Sequence, residues 1–356
     1  MRSLRPVILA AAGTAALLFA AGPAAGEDRP PVTVVDSLGR TVTVPGRVAR
    51  ILSLEPEVTR IVVALGAGDR LVGIDHFLRF NDHLFPLVFP AGASLPLVSN
   101  PAQDLSVEEA LRLRPDVVFA SPSESRLTGS VERKLRVPVV ALASMGRFSG
   151  LLEEIRTLGR ILDREARAGE LIARFEETLR GLPGPAPEAE GPGRPTVYLA
   201  FWNSLVRTPV AYDPVDAAGG RNVAAGTAAD YAGSPGVTVS LEKLLLWDPE
   251  VILVQGNYPP SDRRVTVEAV LRDPRLASLR AVRTGRVHYT FGYWYWWDPA
   301  LALVETVYLA RLFRPGTDPG FDLAAFGDGV FKDFYGVEGA FSALCRRLDC
   351  HAWTRE

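Results

Sequence analysis

An α/β fold of two lobes is predicted from three observations. β-branched runs alternate with helical patterns, one stretch recurs 134 residues later, and a long amphipathic segment separates the copies.

The chain begins with Arg2 and Arg5, then an apolar run from Val7 to Ala21 and small residues ending Ala24-Ala25-Gly26. That order is that of a secretory signal peptide, so residues 1–26 are expected to be removed. The run is shorter than the roughly 20 residues that span a bilayer. No cysteine lies at the cleavage site, so a free periplasmic protein is expected rather than a lipid-anchored one. In an oxidising compartment the two cysteines, Cys345 and Cys350, either close a small local disulfide or remain as thiols. The 39 basic and 41 acidic side chains nearly balance, and nothing in them suggests a nucleic-acid partner.

The first lobe is assigned to residues 27–147, where ARILSL, RLVGI, DVVFAS and PVVAL read as strands separated by helices. Residues 148–182 follow, with Leu151, Ile155, Leu158, Leu162, Leu171, Phe175, Leu179 and Leu182 at helical spacing. A single helix there would measure about 50 Å and brace both lobes. The Pro/Gly-rich residues 183–195 read as a connector. The second lobe, residues 196–356, repeats the scheme with TVYLAF, VILVQG and VHYTFG and ends in a partly amphipathic helical tail.

The repeat aligns Ser106–Ala120 with Ser240–Val254 without a gap. In each copy a serine caps a short helix, Pro115 or Pro249 stops it, and an apolar strand follows. Glu109 can complete a capping box and its counterpart Lys243 cannot, so the shared acids are Glu108 and Glu242. Either these serve the helix dipole, or they present paired charges to a two-fold partner that carries arginines.

Taken in order, VTVVDSLGRTVTVPGRVARILSL, EPEVTRIVVALGAGDRLVGID, DLSVEEALRLRPDVVFAS, AAGGRNVAA and VSLEKLLLWDPEVILVQG resemble the periplasmic binding proteins for ferric siderophores, haem, cobalamin and, in one branch, molybdate or tungstate. The resemblance covers nearly all of the chain after the leader. It implies two Rossmann-like lobes joined by one rigid helix, a ligand held between them, and delivery to an ATP-driven importer. It also implies that Glu108 and Glu242 pair with arginines of a dimeric membrane permease.

In parallel α/β lobes ligands sit at the carboxyl ends of strands. By that rule Glu55, His76, Arg79, Trp202, Arg207 and Tyr258 are candidate ligand contacts, and the aromatic run YTFGYWYWWDPA adds Trp294 or Trp296 for stacking. An arginine fork suits the oxygens of a negative chelate, although 36 of the 39 basic residues are arginine and each one alone says little. His76 and His83, beside Asp75 and Asp82, either offer an iron or cobalt ligand or are surface histidines. No metal site is assigned.

The expected function is capture of an iron chelate or a cobalamin-like ligand by a monomer, with no cofactor beyond the metal that the ligand carries. Molybdate or tungstate is the alternative within the same fold. A secreted α/β hydrolase is the rival of another class, and the chain contains none of G-x-S-x-G, H-E-x-x-H or G-x-x-x-x-G-K-[ST].

Overall fold

Every β-branched run expected as a strand is one. The computed structural model describes residues 29–100, 104–122, 125–142, 144–182, 193–230, 236–292, 297–314 and 320–350. The signal peptide, most of the connector, Trp294 and Trp296 lie outside these residues.

The first lobe opens with an antiparallel pair, β1 (Val32–Val35) and β2 (Thr41–Val44). It continues as β3 (Ile51–Ser53), α1 (Pro56–Ala64), β4 (Leu71–Ile74), α2 (His76–Phe80), α3 (Phe85–Val88), α4 (Val107–Leu113), β5 (Val117–Ala120), α5 (Ser125–Leu135) and β6 (Val139–Ala141). The order β4-β3-β5-β6 is parallel throughout. All residues of β3, β5 and β6 are buried, as expected of strands covered on both faces.

The linking segment differs from its expectation. It forms two helices, α6 (Phe148–Leu162) and α7 (Glu165–Arg180), separated by Asp163 in the left-handed conformation at φ 58°. One straight helix would hold Phe148 and Phe175 about 40 Å apart. Their ring centroids are 5.1 Å apart, so α7 folds back along α6. Gly159 permits the turn, because a Cβ there would lie 2.7 Å from Ala168 Cβ. The apolar stripe lapses at the break: a turn after Leu162 come Glu165 and Ala166, and Gly169 follows.

The second lobe contains β7 (Thr196–Ala200), β8 (Arg207–Pro209), α8 (Asp213–Ala217), β9 (Arg221–Asn222), β10 (Gly236–Thr238), α9 (Leu241–Trp247), β11 (Val251–Gln255), α10 (Val267–Arg272), α11 (Arg280–Arg283) and β12 (Val287–Thr290). Its parallel sheet runs β12-β11-β7-β9, with β8 and β10 as a separate antiparallel pair. Three helices close it: α12 (Pro299–Phe313), α13 (Leu323–Tyr335) and α14 (Ala340–Leu348). The tail packs through Phe331, Phe334, Phe341 and Leu344, all buried, and reaches the first lobe where Arg347 donates to His83 O. Cys345 and Cys350 are buried neighbours and unbonded, and burial with the adjacent Cys345 pushes the Cys350 thiol well up.

The repeat holds in space. Ser106 Oγ accepts from Glu109 N and Ser240 Oγ from Lys243 N, and α4 and α9 both stop at left-handed residues, Arg114 and Asp248, just before their prolines.

Candidate ligand site

In the first lobe four strands deliver polar residues to one edge. Glu55 follows β3, Asp75 follows β4, Ser121 follows β5 and Ser144 lies three residues beyond β6. Glu55 is buried, with Glu57 and Ser121 hydrogen-bonded to its carboxyl. Burial first, and then Glu57 beside it, pushes the Glu55 carboxyl well above the usual range. Burial likewise pushes Asp75 up to about 7, against the lowering effect of the Leu78 amide that Asp75 caps. Glu154 of α6 is pushed up to about 8 by burial while accepting Ser144 Oγ at 2.7 Å. Among the described residues Glu57 Oε1, Asp75 Oδ2 and Glu154 Oε1 are buried without a hydrogen-bond partner. Asp75 and Glu154 hold their protons near neutrality and can donate them or lose them to an incoming cation.

This edge faces the second lobe. Trp297 Nε1 donates to Ser144 Oγ at 3.2 Å, and the Trp297 ring stacks on Phe148 at 6.0 Å. Phe148 N donates to Asp213 Oδ2, and Asp213 N to Gly146 O. Beside these contacts lies a buried ionic seam. Arg60 of α1 pairs with Asp82 and, at 3.4 Å, with Asp298, which caps α12 and accepts the Tyr335 hydroxyl. Arg60, Asp82 and Asp298 side chains are fully buried. A guanidinium this deep is tolerable only with matched carboxylates. Sequence reading missed this seam, although a charge inside the apolar run EVTRIVVAL was its signal.

In the second lobe the strand ends bring together Trp202, Gln255 and Gly292. Gln255 Oε1 accepts Trp202 N, and Gly292 packs so closely on Gln255 that a Cβ would come within 2.8 Å. Trp202 and Asn203 take left-handed backbone angles, which turn the indole back over β8, where the Arg207 guanidinium lies 4.7 Å from its ring centroid. Tyr258 is half-buried beyond β11, its carbonyl held by Arg263 Nε. Asn257 is fully buried, with neither amide atom partnered among the described residues.

Of the candidate contacts, Glu55 lies just after β3 in the first lobe, and Trp202 and Arg207 form one stack in the second. His76 is half-buried at the head of α2 against the exposed Phe80 ring, 4.5 Å away. The Arg79 guanidinium donates to Leu95 O, in the loop after α3. Asp82 is engaged by Arg60 and by the amides of Leu84 and Phe85. Among the described residues no group of His, Cys, Asp and Glu has the arrangement of a metal site. Sequence reading also missed Glu57 and Glu154, whose proximity depends on folding.

Glu108 and Glu242 are exposed on the second residues of α4 and α9. Glu242 is held below its usual range by its own backbone amide and Ser240.

Comparison with known proteins agrees with this architecture. The molybdate-binding protein MolA of Haemophilus influenzae is 26% identical over 85% of this chain and 90% of its own. A cobalamin-binding protein of Halobacterium salinarum is 25% identical over 63% of this chain and 58% of its own. Among solved structures, H. influenzae MolA bound to molybdate superimposes with a TM-score of 0.66 at 23% identity, over 86% of this chain and 98% of that one. Helicobacter pylori CeuE with Ni(II) bound gives 0.69 at 20% identity, over 87% and 98%. No helix among the described residues is long and apolar enough to cross a membrane. The periplasmic binding protein profile matches residues 51–291, and the chain therefore belongs to that family of two-lobed solute-binding proteins of ABC importers.

Proposed function

We propose that this protein captures an iron chelate (a siderophore or haem) or a cobalamin-like ligand between its lobes and delivers it to a permease dimer of the inner membrane. The observation that carries this reading is the contrast between the two walls. Glu55, Glu57, Asp75 and Glu154 form a carboxyl-rich edge suited to the amide, hydroxyl or cationic groups of a large chelate. The Trp202–Arg207 stack of the second lobe would offer a flat face to a conjugated ring and a fork to its oxygens. Iron or cobalt would arrive with the ligand, and the protein needs no cofactor or catalytic group of its own. Export through the leader at residues 1–26, a mature protein without lipid anchor and a monomeric state belong to the same reading.

The docking role of Glu108 and Glu242 is also proposed. Strand-end contacts support it. Arg50, just before β3, donates to Leu113 O at the end of α4, and Arg280 N donates to Asp248 Oδ1 at the end of α9, whose neighbour Glu250 meets Thr196 at the start of β7. Both helices thus finish at the amino ends of the strands, and their first turns lie toward the carboxyl ends, where the cleft is.

A second reading, molybdate or tungstate, is favoured by the 26% identity to MolA over 85% of this chain. It requires the wall carboxyls to stay protonated and donate to the oxyanion. Titration with cobalamin, ferric hydroxamate, haemin and molybdate at pH 6 and pH 8.5 separates the two. A chelate ligand changes its visible spectrum on binding at either pH. Molybdate binding alone, lost as pH rises through 7 to 8, would replace the chelate reading with the oxyanion one.

A further inference from the structure

We infer that each docking carboxylate is half of an acid–leucine step, and that Leu111 and Leu246 supply the apolar part of the contact with the membrane permease. The inference rests on the docking reading above and adds residues that the repeat alignment does not single out.

Leu111 is one helical turn beyond Glu108 in α4, and Leu246 one turn beyond Glu242 in α9. Spacings of three and four residues bring each leucine onto the same face as its glutamate. The opposite faces are anchored in the lobes by Ala110 and Leu244, both fully buried. Leu246 is 76% exposed and Leu111 48%. A solitary exposed leucine is ordinary on a protein surface. What is not ordinary is its recurrence, one turn past an exposed acid, on corresponding helices of both lobes. In the ungapped repeat Leu111 falls opposite Leu245, and Leu246 opposite Arg112, so sequence position did not preserve the pair. The outward helix face did.

Two copies of one surface element, on lobes related by duplication, suit a partner that is itself two-fold. Each copy asks for a cationic side chain set in an apolar collar. An arginine fits, because its guanidinium meets the glutamate while its methylene stem lies along the leucine. The two halves of the step then have separable roles: exposed charges steer association and respond to salt, whereas apolar contact governs how long the complex lasts.

Association of the full-length mature protein with its cognate permease–ATPase complex in nanodiscs, recorded in real time at 0.1 M and 0.5 M NaCl, tests this. Leu111→Ser with Leu246→Ser should speed dissociation at least about tenfold, the ratio that losing even one leucine's burial corresponds to, at both salt concentrations and with little change in association. Glu108→Gln with Glu242→Gln should slow association at low salt only. Melting temperatures equal to wild type show that the variants fold, and Leu246→Lys alone provides a further soluble variant with the same expected loss. Leucine variants that dissociate like wild type while the glutamine variants associate slowly would overturn the inference and leave docking intact. Two sets of variants indistinguishable from wild type would overturn the docking reading itself. Equal binding to protein-free nanodiscs would assign the leucines to lipid and also overturn the inference.

Discussion

The two lobes each bury one glutamate at the same place and treat it differently. Glu154 and Glu305 are both the seventh residue of the fifteen-residue helix that follows the last strand of their lobe, and burial pushes both up to about 8. Glu305 is satisfied within its lobe by the Thr290 hydroxyl, the Phe291 amide and Tyr212. Glu154 has Ser144 alone on one oxygen, leaves the other unpartnered, and lies near Glu57 at the seam. Among the described residues, this glutamate is fully bonded in the second lobe and half-bonded in the first.

The strongest way to break this picture is to cut the seam that sets the walls against each other. Arg60→Met leaves Asp82 and Asp298 buried without their cation, and urea denaturation should report a loss of about 3–5 kcal/mol. Adding Asp82→Asn and Asp298→Asn should restore part of it. A loss under about 1 kcal/mol would mean that the seam does not hold the lobes.

Next comes pH. Asp75, Glu154 and Glu305 have folded-state pKa values raised above those of the unfolded chain, so the fold binds protons that the unfolded chain releases. Their contribution is fully present below about pH 4 and declines as pH rises toward 7 for Asp75 and 8 for the glutamates, with a slope of at most about 1.4 kcal/mol per unit for each. Glu154→Gln and Glu305→Gln should each flatten the fall between pH 5 and pH 8. If the wild-type melting temperature rises over that interval, these carboxyls are ionised in the fold.

In the second lobe, Trp202→Ala should weaken chelate binding by about 1.5–2 kcal/mol, roughly ten- to thirtyfold, by calorimetry. Trp202→Phe should recover most of it. The smallest effect concerns the docking glutamates. Glu108→Ala and Glu242→Ala should leave the melting temperature nearly unchanged, since each carboxylate serves only an exposed first turn, while import falls. Unchanged import would return both residues to a purely local role.

Much of the scaffold was legible in the sequence, because parallel strands buried on both faces appear as β-branched runs and serine–proline punctuation marks the repeated helices. The linking helix was not. Leu151 to Leu162 keep one helical rhythm and Leu171 to Leu179 another, and the lapse between them over Glu165, Ala166 and Gly169 becomes a break only through the left-handed Asp163 and the close approach of Gly159 to Ala168. Strand-end reasoning singled out Glu55, Trp202, Arg207 and Arg79 but could not foresee the partners each has, such as the Leu95 carbonyl that Arg79 meets. The seam and the acid wall depend on partners distant in sequence, such as Arg60 with Asp298 and Glu57 with Glu154, and no local pattern announces such pairs.

A single titration reaches the central claim most directly. With cobalamin and a ferric hydroxamate added separately to the purified protein, and intrinsic tryptophan emission as the readout, the account predicts saturable one-to-one quenching by at least one chelate. That binding should weaken at least tenfold in both Trp202→Ala and Glu55→Gln, which alter different lobes. Chelate binding that survives both substitutions undiminished would contradict a site between the lobes.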